Sequence, residues 1–331
     1  MTAASVDSSS SNYAACIAAA IIATAATVAA WFPLHLSIAS VFLFAGPHNW
    51  IEARYMLSRL PARWGKLRNF FRLSIFGIVT LTLSFALLPY LQSCLPLSPH
   101  WNPFFLSLWC TLLLTWIGVL ARLREKQPPR RNWEFLPATL LAAAAAAWLA
   151  PHAFSLAVLY AHPLLAFWLL DRELLRSKPD WRHQYHRVMI LIPIFALALI
   201  VALHNNPSLP SSTKTAERII AHSGAFWFPS ISNHLLVAIH AFLELVHYGI
   251  WIFAIPLAND KIWQSAARAI PLAKRSPAWN LAVITFIAAG GLLVVFLWLG
   301  FLTDYATTRD LYFTIAMIHV LAEIPFLLRA L

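Results

Sequence analysis

Uninterrupted apolar runs of a bilayer's length recur along this chain, for example at 188–204 and 279–302, and they exclude most folds before any other feature is weighed. A run of about 20 apolar residues forms a helix that crosses the hydrocarbon core, where every backbone N–H and C=O must be bonded within the segment. Of the 331 residues, 60% are hydrophobic and 11% charged, less than half the charged share of about a quarter in an average soluble domain. The fold class expected is all-α, a polytopic integral membrane bundle forming a single membrane-embedded domain over 1–331.

Ten spans are expected after a polar tail at 1–12: 13–32, 34–51, 73–91, 103–121, 134–150, 152–170, 188–204, 232–257, 279–302 and 311–328. The stretch 144–151 has a re-entrant turn as its alternative to a clean hairpin. No Lys or Arg precedes the first run, which favours a retained span over a cleavable signal peptide. The net charge of +11 raises the question of nucleic acid, but the placement of the charge answers it. With ten spans and both termini cytoplasmic, the inner side holds 21 of the 24 Lys and Arg, in loops around Arg63, Lys126, Lys178 and Lys261 and at Arg329; the outer side holds Lys214, Arg218 and Arg309. That is the positive-inside bias of a cell or inner membrane protein, with anionic lipid as the partner of the basic loops and no nucleic-acid partner. Cys16, Cys94 and Cys110 have neither disulfide-framework nor Cys-x-x-Cys spacing. The long outer loop 205–231 carries Phe226, Trp227 and Phe228, read as an interfacial anchor with a lid as the alternative.

Ionisable residues inside the spans carry the functional information. Of thirteen acidic residues, only Glu244 and Glu323 fall well inside apolar runs, and each has a His four positions earlier, His240 and His319. His48 and Glu52, at the end of the second span, repeat the spacing. A carboxylate in hydrocarbon is costly unless paired, protonated or coordinated, so the three motifs are expected to converge. His247 adds an imidazole on the face of His240 and Glu244. His240 and His247 stand about 10 Å apart along a helix rising about 1.5 Å per residue, so either one lies outside the coordination sphere or two ions share the site. Glu244-Leu-Val-His247 is also the Glu-x-x-His spacing of di-iron bundles.

The expected metal ligands are therefore His48, Glu52, His240, Glu244, His247, His319 and Glu323, with His162 and His186 as additional candidates. Glu244 and Tyr248 are the candidate catalytic groups, with Tyr185 and Asn49 as further polar donors. His152, His204, His222 and His234 are read as packing residues. Imidazole and carboxylate oxygen favour iron, mononuclear or dinuclear, with manganese or zinc as alternatives.

Gly46-Pro47-His48-Asn-Trp-Ile-Glu52 resembles the Gly-x-Pro-His-Gly-x-x-Asp opening motif of the bacterial integral-membrane Brp-like β-carotene dioxygenases. The likeness covers seven residues, with Glu in place of Asp and Asn49 after the histidine. It implies a multi-span enzyme whose histidines hold non-haem iron and whose substrate is a carotenoid. The histidine boxes of membrane desaturases and the His-Glu-x-x-His of zinc proteases are absent from the sequence. The functional expectation is a membrane oxygenase acting on a lipid-soluble substrate such as a carotenoid, isoprenoid or fatty acyl chain. A proton-coupled or metal-ion transporter using the same residues is the alternative from another class, and a haem b electron-transfer subunit is a third.

Overall fold

Proline divides much of this chain into helices. A residue before Pro is pushed out of the α region, while Pro itself suits the first helical turn. Phe32 (φ −134°, ψ 52°), Ala150 (φ −145°, ψ 68°) and Lys178 (φ −145°, ψ 67°) each leave helical geometry immediately before Pro33, Pro151 and Pro179, and a helix restarts at each proline. The computed structural model describes residues 3–94, 101–127, 132–259 and 267–330. The loop expected around Lys261 and the residues 128–131 lie outside them.

All regular structure among the described residues is helical. In chain order the helices are α1 (Ala3–Trp31), α2 (Pro33–Ser40), a π-helical segment (Val41–Ala45), α3 (Gly46–Arg59), α4 (Arg68–Cys94), α5 (Trp101–Glu125), α6 (Leu136–Leu149), α7 (Pro151–Ala161), α8 (Pro163–Ser177), α9 (Arg182–Met189) and α10 (Leu191–Leu203). They continue with α11 (Lys214–His222), α12 (Asn233–Gly249), a second π-helical segment (Ile250–Ala254), α13 (Ile255–Ala258), α14 (Pro277–Thr303) and α15 (Tyr305–Ala330). Short 3-10 turns join some of them.

Eight stretches among the described residues are long and apolar enough to cross a membrane: Ser11–Trp31, Gly65–Leu88, Asn102–Glu125, Pro151–Ser177, Pro179–Leu203, Asn233–Ala258, Pro277–Thr303 and Tyr305–Arg329. They correspond to eight of the ten expected spans. The other two differ for local reasons. The expected span 134–150 contains α6, an apolar helix of 14 residues that is shorter than the other eight. The expected span 34–51 runs into the polar stretch His48 to Arg59 as part of one helical rod, Pro33 to Arg59, which the first π segment interrupts.

Two compact units are present, one of Met1–Glu52, Tyr160–Ala266 and Ala288–Ala306, the other of Ala53–Leu159, Ala267–Ile287 and Thr307–Leu331. In the first, α12 is the central element, packed by α1, α2, α8, α10 and α11. Its span is 61% buried, against 11–33% for the other seven, so among these eight described spans it is the one that meets protein on most of its circumference.

The stretch Phe42 to Trp50 lies antiparallel against residues 290–298 of α14, and the register is legible every four residues. Phe42 accepts a hydrogen bond from the Trp298 indole at 2.8 Å, Gly46 faces Val294, and Trp50 lies over Gly290. A Cβ at Gly290 would stand 2.9 Å from Trp50 Cδ1, so the bare glycine is what admits the indole. Positions 48 and 52 are two residues out of this register, about 200° around the helix at 100° per residue. With one face occupied by α14, His48 and Glu52 sit on the other.

The second unit has its core on α4, α5 and α6, with Phe70, Phe71, Trp109, Trp116, Leu120 and Ala147 buried. Apolar surface cannot discriminate between helices in lipid, so polar ties and small residues set the register. The Trp116 indole donates to Leu73 O at 3.0 Å and that of Trp109 to Leu81 O at 3.0 Å, while Ser107 Oγ donates to Ala147 O at 2.8 Å. Gly77 lies beneath Trp116, where a Cβ would come within 2.0 Å of the indole nitrogen.

Candidate metal centre

The helix irregularities and the ionisable residues coincide. Pro47 and Pro256 each stand two residues after the end of a π-helical segment, and proline lacks the backbone N–H that a regular α-helix would use at that point. Widened π turns accommodate the missing bond, and such turns recur at functional sites. His48 follows the first π segment, and His247 and Tyr248 lie in the last turn of α12 before the second. His162 is likewise joined to Pro163, but keeps helical dihedrals (φ −52°, ψ −44°), so α7 and α8 form a nearly continuous rod with the imidazole at the joint.

His48 is 1% exposed. Its Nδ1 lies 3.1 Å from the Phe44 carbonyl oxygen. A carbonyl only accepts, so Nδ1 carries the proton and donates. In the neutral ring this leaves the Nε2 lone pair for a ligand, the arrangement by which a backbone carbonyl orients a metal-binding histidine.

Three imidazoles of the first unit gather here. The His48 and His247 rings are edge-on, with centroids 5.5 Å apart, and the His162 ring lies 4.8 Å from that of His247. Ring nitrogens of His48 and His247 stand within 4.8 Å of each other. Two nitrogens on one ion, each at about 2.0–2.1 Å, are about 3–4 Å apart, so a small ring rotation would bring the pair onto one ion. Tyr248 stacks obliquely on His48, with centroids at 4.4 Å, and its hydroxyl donates to Glu244 Oε1 at 2.9 Å. Glu52, one turn beyond His48, is fully buried, and Glu244 is 9% exposed. Carboxylates thus accompany the imidazoles on the same helices, Glu52 one turn after His48 and Glu244 one turn before Tyr248, whose phenol hydroxyl holds one carboxylate oxygen. Phe242 and Trp251 are fully buried on the same helical rod.

The remaining candidates are placed as follows. His240, two turns before His247, meets the His222 ring at a centroid distance of 5.1 Å and the Tyr160 ring at 5.8 Å, forming a separate aromatic group along α12. His186 bonds Asp171 through Nε2 at 2.7 Å, beside the two-point pair of Arg182 with the same carboxylate at 2.7 and 3.0 Å, so it is engaged in tying α9 to α8. Tyr185 donates to Phe167 O at 2.6 Å, a further tie between these helices. His319, half-buried, and Glu323, fully buried, lie one turn apart on α15 in the second unit.

His234 has the packing role expected of it, bonding Ala30 O through Nε2 at 2.9 Å, and His204 bonds Val201 O at 3.0 Å. His222 packs edge-on against His240. Its position in the expected outer loop, outside every apolar span, gave no sequence signal of that partner. For His162 a signal was present: the dipeptide His162-Pro163 within an apolar run places an imidazole at a helix joint.

No family model, curated protein or solved structure matches this chain.

Proposed function

We propose that this chain is an integral-membrane metal-dependent oxygenase, in which a buried centre on His48 and His247 oxidises a lipid-soluble substrate such as a carotenoid, isoprenoid or fatty acyl chain. His162, Glu52 and Glu244 are its further donors, and His319 and Glu323 are kept in the set on their sequence spacing alone. The observation that carries the reading is His48, a fully buried imidazole whose Nδ1–H is committed to Phe44 O and whose neighbour is the His247 ring. Iron is the metal proposed, mononuclear or dinuclear, because imidazole and carboxylate ligands with open positions suit dioxygen activation. The protein's own part is to present Nε2 of His48, to hold Glu244 through the Tyr248 hydroxyl, and to surround both with apolar side chains that admit the substrate and exclude water. Ten spans with both termini cytoplasmic belong to the same proposal, supported by the 21-to-3 division of basic residues.

Metal content and oxygen uptake, measured together on wild type and Glu244→Gln, test it. Gln keeps the size of the side chain and loses the anionic oxygen that a hard ion needs. The expected result is stoichiometric iron or manganese in wild type, with metal and substrate-dependent oxygen uptake lost in the variant and the folded protein retained. Wild-type protein isolated without chelator that holds no metal and takes up neither ion would remove the enzyme reading.

A cation or proton transporter is the second reading. It is favoured by the helix discontinuities beside the site, since transporters bind at broken helices. Flux across sealed vesicles that Glu244→Gln abolishes, in protein containing no stoichiometric metal, would establish it instead.

A further inference from the structure

Ionisable side chains line α12 well beyond the centre itself. From Glu244 the face continues one turn back to His240, 8% exposed, and then across to His222, half-buried at the last residue of α11. The His222 and His240 rings meet at 88° with centroids 5.1 Å apart. Exposure falls in stages along the series, from half-buried His222 to His240 and Glu244 at 8% and 9%, and then to His247 at 3% and His48 at 1%.

The position of His222 is built. Thr213 caps α11 by accepting from Ala216 N at 3.2 Å, which fixes where the helix starts. At the other end the Tyr160 hydroxyl lies 3.0 Å from Ser223 O and 3.2 Å from Leu236 O, one residue beyond His222 and one turn before His240. One phenol proton serves the two carbonyls and ties the end of α11 to α12. With its hydroxyl so engaged, Tyr160 acts as a strut beside the two imidazoles.

We infer that His222 and His240 form a port through which the divalent cation of the His48–His247 centre is admitted, rather than a second permanent site. The inference rests on the metal reading of that centre. Two imidazoles bind a borderline divalent ion transiently, because they fill only part of its coordination sphere and leave the rest to water or to the next donor. Glu244, one turn further in, supplies an anionic oxygen between the port and His247. The ion is captured at the half-buried imidazole, passed to ligands of increasing number and charge, and retained where burial is deepest.

Stopped-flow loading of apo-protein in phospholipid nanodiscs with Co2+ separates the port from the centre, because the rate reports the route and the end point reports the site. For His222→Gln the expected result is loading slowed about tenfold or more with an unchanged end point and spectrum. For His222→Lys, whose ammonium repels the incoming ion, loading should be slower still. That ordering by charge is not produced by a packing role. Thr213→Ala, which frees the start of α11 and leaves both imidazoles in place, should fall between wild type and His222→Gln. Loading at the wild-type rate in both His222 variants, or equal slowing by Gln and Lys, would overturn the port while leaving the centre standing. If wild type binds no Co2+ at all, the metal reading fails first and the port with it.

Discussion

At the scale of single residues, burial and hydrogen bonding assign different work to groups that look alike in the sequence. His48 and His240 both precede a glutamate by four positions, yet one donates Nδ1–H to Phe44 O beside His247, and the other meets His222 and Tyr160. Tyr248 is the residue through which Glu244 is held. Tyr248→Phe removes that hydroxyl and is expected to lower metal affinity about 10- to 100-fold, as loss of a ligand's orienting partner does. Equilibrium metal titration of wild type and variant measures it. His48→Ala removes a proposed ligand outright and should abolish stoichiometric metal. His186→Ala, affecting the imidazole bonded to Asp171, should leave metal content unchanged in the same assay.

Helices add constraints that no single residue carries. The four-residue register of Phe42, Gly46 and Trp50 against Trp298, Val294 and Gly290 turns His48 and Glu52 away from α14. Pro47→Ala restores a backbone N–H and with it the option of a regular α turn across the π segment. Thermal stability should be kept or raised while metal content falls, because the His48 ring would be re-aimed; a fall in both would mean that the π turn serves only packing. In the second unit, Gly77→Ala drives a methyl to within 2.0 Å of the Trp116 indole nitrogen. Overpacking of this kind costs about 1–3 kcal/mol and should appear as a lowered unfolding midpoint. Gly249→Ala is the matching control. Its Cβ meets nothing within 4 Å, so the helix should gain about 0.5–1 kcal/mol.

For the molecule as a whole, orientation in the bilayer and the contribution of bound metal are the quantities to measure. Cysteine labelling from each side is expected to place the loops around Arg63, Lys126, Lys178 and Lys261 together on the cytoplasmic face; labelling of Arg63 and Lys261 positions from opposite sides would discard the ten-span topology. A metal that binds only the folded state adds about 2.7 kcal/mol when present at about 100 times its dissociation constant. Chelation should therefore lower the unfolding midpoint of wild type and leave that of His48→Ala unmoved.

The helical structure of the described residues, and the eight helices long and apolar enough to cross a membrane, follow from the chain's own composition, since a long apolar run in lipid satisfies its backbone within a helix. The proline corners at Pro33, Pro151 and Pro179 were local in the same way, because the constraint acts on the residue immediately before each proline. The His-x-x-x-Glu spacing identified which faces must be buried, but spacing along one helix carries no information about which other helix answers it. Tertiary packing decided that His162 meets His247, that His240 meets His222 across 18 residues of chain, and that α12 is enclosed on most of its circumference. Those outcomes depend on bare positions such as Gly290, which sets how closely an indole approaches, and on carbonyl partners such as Phe44 O, which sets how a ring is turned. Contacts of this kind exist only once distant segments have come together.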